Sequence, residues 1–341
     1  MADMKSGSSI QLAVPKNLAR DNATLQVEYN AKDADNPHDI IHADYGAQRA
    51  LKMLSMKKSD WLAADQVRKQ RNDPSYDMYA NYAYKYRDAP GKDVRIYVVD
   101  TGINPVADAF IGRRVEFLTV QPFGTDVRED SAQDSTRPEY GHGTCVADLA
   151  VGKVNGVARD AEVTAVKLNC FGSDFLRKLC REQLVDGLTA VLEDAYARQL
   201  TNRAVVNISF TLFTDPGAYE EGYRYALWLL LRRLEDYGVA IVVTAPNHAE
   251  CTPTATPCIL GNPEYNEKLP WGPQITSVVT VGTASVDDGD VVDLPGVTSD
   301  WLQIHGPGND ETFGGLKCSG PVANNPRVWK VSLSQLCDRP S

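Results

Sequence analysis

The hydrophobic period of the chain changes near residue 94. Upstream, residues 1–40 are polar and rich in Asn and Asp, with little periodicity, a composition expected to stay poorly ordered. Residues 45–71 carry apolar positions at helical spacing. Ala47, Leu51, Leu54, Trp61, Leu62 and Val67 form the predicted apolar face of one or two helices. Residues 76–86 read as a tyrosine-rich connector. From residue 94 onward, short continuous Val/Ile runs alternate with amphipathic stretches. Strands are predicted at 94–99, 162–168, 205–209, 239–245 and 276–281, and helices at 184–199 and 219–237, with a further helix opening at His142. Continuous apolar strands interleaved with helices describe a sheet covered on both faces. The predicted fold class is therefore α/β, a doubly wound, mainly parallel sheet with an N-terminal helical extension. No internal repeat or low-complexity tract interrupts it.

In such sheets function gathers at the carboxyl ends of the strands. Asp100 closes the first run, and His142 stands between Gly141 and Gly143 at a helix start. Asn207 lies inside the third strand, two residues before Ser209, and Asn247 lies just past the 239–245 run. Each has a plain structural alternative. Asp100 suits a turn, His142 a helix cap, and Asn247 a turn after Pro246. Together, in this order and at strand ends, they are a candidate site: a carboxylate and an imidazole are two thirds of a nucleophilic triad.

Charge and cysteines narrow the picture. The chain has 341 residues and a formal net charge of −10, with no basic stripe, which argues against nucleic acid or an anionic membrane as partner. Its longest apolar runs have the length of core strands and are too short to cross a bilayer. The first residues carry no apolar stretch behind Lys5 and do not read as a secretory signal, which leaves an intracellular protein or a truncated secreted one. Seven cysteines are present; Cys145 stands alone, and the others form close-spaced pairs, Cys170 with Cys180, Cys251 with Cys258 and Cys318 with Cys337. Two readings stay open: a disulfide framework with one free thiol in an oxidising compartment, or buried reduced thiols inside the cell. The turn Asp287-Asp288-Gly289-Asp290 suits structural calcium or a solvated hairpin. His38 and His42 have helical i, i+4 spacing but lack the Glu of a zinc-protease motif. No metal ligand is assigned and no cofactor is expected.

Six segments in order carry a resemblance. They are Val98-Val99-Asp100-Thr101-Gly102-Ile103, Gly141-His142-Gly143-Thr144-Cys145, Gly156-Val157-Ala158 with the strand at 163–168, Val206-Asn207-Ile208-Ser209, Val242-Val243-Thr244-Ala245-Pro246-Asn247, and the strand at 275–282 followed by a Gly306-Pro307-Gly308 turn. Over residues 91–320 the chain resembles the subtilase family of serine proteases (subtilisin-like, peptidase S8), in particular its proteinase K-like fungal branch. The resemblance implies a subtilisin-like fold, an Asp/His/Ser endopeptidase and a polypeptide substrate. Asp100 would orient His142, His142 would exchange the proton of the nucleophile, and Asn247 would donate to the oxyanion. Asn207 and Ser209 would flank the substrate.

One expected part is missing. The family's Gly-Thr-Ser nucleophile motif at the start of a buried helix is absent; after Gly308 the chain reads Phe313-Gly314-Gly315-Leu316-Lys317-Cys318-Ser319-Gly320-Pro321. Ser319 is the candidate displaced nucleophile. Residues 321–341 contain three prolines and show no helical stripe, so the family's central helix is not expected there. The predicted division is an extension over 1–88, a C-terminally truncated peptidase unit over 89–320, and an irregular tail over 321–341. The alternative function is a catalytically inactive pseudoprotease acting as a binding module.

Overall fold

A computed structural model describes residues 41–73, 75–87, 89–118, 142–168, 174–209, 218–244, 275, 278–285 and 304–309. Asn247, Ser319, the 287–290 turn, His38 and the 321–341 tail lie outside the described residues.

The strand run expected at 94–99 forms β3 (Arg95–Asp100), with all six residues buried. Its side chains alternate between two layers, as the two-residue period of a strand requires. Tyr97 and Val99 join one core cluster, and Ile96 and Val98 the other. Around β3 lie β4 (Val115–Leu118), β5 (Glu162–Lys167), β6 (Ala204–Ile208), β7 (Val239–Thr244), β8 (Val278–Ser285) and β9 (Ile304–Asn309). They form a seven-stranded sheet in the order β4-β5-β3-β6-β7-β8-β9, with every neighbouring pair parallel. The architecture is the expected doubly wound α/β sheet.

Helices supply the covering layers. On one face, α4 (Asp174–Ala197) buries Leu184, Leu188, Val191, Leu192 and Ala195, and α5 (Ala218–Asp236) buries Tyr223, Leu227, Leu230, Leu231 and Leu234. Both stripes follow the same i, i+4, i+7, i+8, i+11 spacing, which is one side of a 3.6-residue helix. Removing one such leucine to alanine costs about 2–5 kcal/mol. On the other face, α3 (His142–Val151) packs Val146, Ala147 and Val151 against Ile96, Val98, Val163 and Ala165.

The N-terminal segment folds as two helices, α1 (Arg49–Ser55) and α2 (Lys58–Arg71), with β1 (Ile41–Asp44) antiparallel to β2 (Tyr84–Arg87). It packs toward α3. Leu149 leans on the cluster of Ala50, Met56, Ala64, Met78 and Tyr79, and Arg159 lies over the rings of Tyr84 and Tyr86. α1 also approaches the edge strand β9.

The structure departs from the sequence reading in several places. Leu54, Leu62 and Val67 are exposed, whereas Ala64 and Asp65 of α2 are buried. The inner face of α2 accepts a small residue and an ion-paired carboxylate: Asp65 bonds Arg68 at 2.7 Å and Lys69 at 2.8 Å. The 76–86 connector holds four core residues, Met78, Tyr79, Ala83 and Tyr84, and enters strand β2. Strands β1, β4 and β9 were not predicted, because short segments at a sheet edge need only one partner and carry weak apolar patterns. Gly306, Pro307 and Gly308, read as a turn, belong to β9, where the register shifts beside Ala284 and Ser285. A proline is tolerated there because β9 is an edge strand. The helix expected at 184–199 begins ten residues earlier, at Asp174.

Candidate active site

Strand alternation decides where Asp100 points. Ile96 and Val98 face α3, so Asp100, two residues on, falls on the α3 side at the strand's carboxyl end. His142 is the first residue of α3. Its Nδ1 meets Asp100 Oδ1 at 2.7 Å, with Asp100 fully buried and His142 nearly so. A carboxylate only accepts, so the bond assigns the proton to Nδ1 and directs Nε2 away from Asp100. The same Oδ1 accepts the Thr101 N–H at 2.7 Å. The main chain of Asp100 is pinned as well, because its carbonyl accepts the Leu168 N–H at 2.8 Å.

Two threonines bind the segments that carry this pair. Thr101 Oγ1 accepts the N–H of Gly143 at 2.9 Å, and Thr144 Oγ1 accepts the N–H of Asn104 at 2.9 Å. Two glycines let the backbones come this close. Gly102 has φ 109°, a conformation closed to other residues at low cost, and a Cβ on Gly143 would run into the Gly102 carbonyl oxygen. At the far end of α3, the half-buried Arg113 donates to the carbonyls of Val151, Arg159 and Ala161. Its positive charge satisfies the Val151 carbonyl at the helix end and complements the negative end of the helix dipole.

Asn207 and Ser209 stand on the same side of the neighbouring strand. Val206 and Ile208 face the α4/α5 layer, so Asn207 faces the α3 layer, in register with Val98. Its Nδ2 donates to the buried Ser209 Oγ at 2.8 Å. The sheet grows in opposite directions from β3, with β5 on one side and β6 on the other, so the Asp100 end lies at the topological switch point where such sheets hold their ligands. Asp100, His142, Asn207 and Ser209 are thereby brought to one edge.

Sequence reasoning assigned no role to Thr101, Thr144 or Arg113. The signal for the threonines was available: each is a hydroxyl residue next to or near its dyad member, on a segment the other must dock against. Arg113 carried no local signal, because its three acceptors come from a loop and helix end about forty residues away.

One expectation about cysteine is overturned. Cys145, read as the odd thiol, is disulfide-bonded and buried in the first turn of α3. Pairing is set by which Cβ atoms meet in space rather than by spacing along the chain. Six cysteines remain as candidate partners, so at least one of the three close-spaced pairs is not formed as expected. Among the described residues, no helix is long and apolar enough to span a membrane.

Comparison with known proteins bears on the same residues. The sequence model of the subtilase family matches residues 91–328. Subtilisin-like protease 4 of Trichophyton rubrum is 24% identical over 323 residues, covering 87% of this chain and 71% of that protein. Subtilisin-like serine protease Pen ch 13 of Penicillium rubens is 28% identical over 280 residues, covering 77% of this chain and 60% of that protein. A solved cold-adapted subtilisin-like serine proteinase aligns with a TM-score of 0.46 at 20% identity, covering 82% of this chain and 81% of that one. The family match spans more than two thirds of the sequence, including both members of the buried carboxylate–imidazole pair, and the chain belongs to the subtilase family of serine proteases.

Proposed function

We propose that this chain is a subtilisin-like serine endopeptidase that cleaves polypeptides by acyl transfer. The observation that supports this reading is the buried 2.7 Å contact between His142 Nδ1 and Asp100 Oδ1 at the carboxyl edge of a parallel sheet. With Nδ1 engaged, Nε2 is the nitrogen that would take the proton of an attacking hydroxyl and deliver it to the leaving amine. Asp100 would hold the ring in the required tautomer and stabilise the imidazolium as it forms. Ser319 is the proposed nucleophile and Asn247 the proposed oxyanion donor, by sequence position. Asn207 and Ser209 would flank the peptide.

A second reading has its own support. The sequence after Gly308 lacks the family's nucleophile motif, which favours a pseudoprotease that retains a peptide cleft as a binding module. Without the nucleophile, binding and oxyanion stabilisation alone would leave about 10³–10⁴-fold acceleration over water. A fluorophosphonate probe separates the two. Labelling that disappears in Ser319→Ala supports the protease, whereas folded protein that never labels supports the binding module.

A further inference from the structure

We infer that Thr101 and Thr144 are positioning residues: a reciprocal pair of hydroxyl-to-backbone hydrogen bonds that sets the separation of Asp100 and His142. The inference rests on the reading of these two groups as the acid–imidazole pair of a protease. The pair is drawn from segments 42 residues apart, the last residue of β3 and the first turn of α3. Local structure therefore fixes neither its distance nor its angle. The first turn of a helix presents N–H groups that its own ladder leaves unfilled. Here one of them is filled from outside the helix, by the Thr101 hydroxyl accepting from Gly143. The helix returns the favour in kind, since Thr144 Oγ1 accepts from Asn104 on the loop. Three consecutive residues of α3, His142, Gly143 and Thr144, thus each bond to the end of β3 or the loop just after it, at 2.7, 2.9 and 2.9 Å. The two threonine bonds have opposite donor–acceptor sense and tie two successive residues of α3 to the segment that follows Asp100. Both threonines are buried, at 6% and 8% exposure. Their β-branched side chains have few rotamers, which holds each acceptor in place. The glycines at 102 and 143 remove the side chains that would keep the two backbones apart.

A displacement of about 1 Å at a catalytic group costs on the order of 10²-fold in rate, so loss of the staple is expected to be read at the imidazole. The test uses the full chain with valine and serine at each position. Valine keeps the shape and removes the acceptor; serine keeps the acceptor. Proton NMR follows the His142 Nδ1–H resonance, and a fluorophosphonate probe follows reactivity. In Thr101→Val/Thr144→Val, the Nδ1–H signal is expected to move upfield and exchange faster, and the labelling rate to fall about 10–100-fold. The serine variants are expected to keep both. A double-valine protein that retains the signal and the labelling rate overturns the inference, as does one that loses only thermal stability. Should the double variant fail to fold, Thr101→Val alone carries the test. If that protein also fails to fold, the bond is a folding element and the positioning role is wrong. Wild-type protein that shows the Nδ1–H signal but never labels removes the protease reading, and the effect of valine on that signal still decides the staple.

Discussion

Strand β3 begins and ends on a buried charged residue, and its two ends are built on different principles. At the start, Arg95 is 3% exposed and meets Glu162, Glu116 at 2.9 Å and Thr164 at 2.6 Å. Glu116 also takes Arg198 at 2.7 Å, Arg198 binds Asp194 at 2.7 Å, and Asp194 accepts the phenol of Tyr97 at 2.7 Å. At the other end, Asp100 is fully buried against an imidazole and a backbone N–H. A guanidinium cannot give up its proton in a protein, so its burial demands matching carboxylates and yields a locked network. An imidazole changes charge near neutral pH, so the same degree of burial yields a group that can accept and return a proton. Five residues along one strand separate a locked ion network from the pair proposed to move a proton.

The comparison is broken most severely by Asp100→Asn. The amide can hold the place of the carboxylate but no longer enforces the Nδ1–H tautomer, and fluorophosphonate labelling is expected to fall about 10⁴-fold while the melting temperature barely moves. Labelling at the wild-type rate would remove Asp100 from the proposed chemistry.

The opposite pattern is expected of Arg95→Leu. Stripping one partner from a buried ion network costs about 3–5 kcal/mol, so urea unfolding should show a large loss of stability. Under native conditions the labelling rate should stay near wild type. A loss in labelling as large as the loss in stability would mean that the two ends of β3 are coupled.

Tyr97→Phe probes the same network more gently. It removes one hydrogen bond to Asp194, which still holds Arg198, and about 1 kcal/mol of stability should go with it. Burial first, and then the bond to Asp194, push the Tyr97 phenol well above its ordinary value of 10.0. The native state therefore binds this proton more tightly than the unfolded chain. The contribution is complete below pH 10.0 and is lost above it, as the unfolded chain ionises. The Phe variant should show a shallower alkaline decline in unfolding free energy; an unchanged slope would place the phenol outside the network's energetics.

The smallest effect is expected at Asp65, an ion-paired carboxylate away from both ends of β3. Its burial opposes ionisation, but bonds from Lys69 and Arg68 outweigh that and hold its carboxyl below the usual 3.8. Its contribution is present above pH 3.8 and disappears as the pH falls through its lowered folded value. Asp65→Asn should cost about 0.5 kcal/mol at neutral pH and flatten the acid limb of a stability curve. A cost several times larger would make α2 a third centre of buried electrostatics.

Much of the candidate site was legible in the sequence. The buried run ending at Asp100, the glycine-flanked His142 and the placement of Asn207 inside a strand follow from period-two burial and from the rule that parallel sheets expose their carboxyl ends to function. The network at the start of β3 was not legible. Arg95, Glu116, Glu162, Asp194 and Arg198 read along the chain as ordinary scattered charges, since no local pattern marks residues that meet from three strands and the end of one helix.

The sequence by itself determined the alternation of strands and helices, the parallel sheet they build, and the chemical types waiting at its edge. Those properties are local, set by which side of a strand or helix each apolar residue must bury. Tertiary structure alone decided that Asp100 and His142 touch, that Thr101 and Thr144 staple their segments, that Arg113 closes the far end of α3 and that Cys145 is bonded rather than free. Each of these joins residues distant along the chain, and such contacts are fixed by the packing of whole layers, a quantity no local pattern encodes.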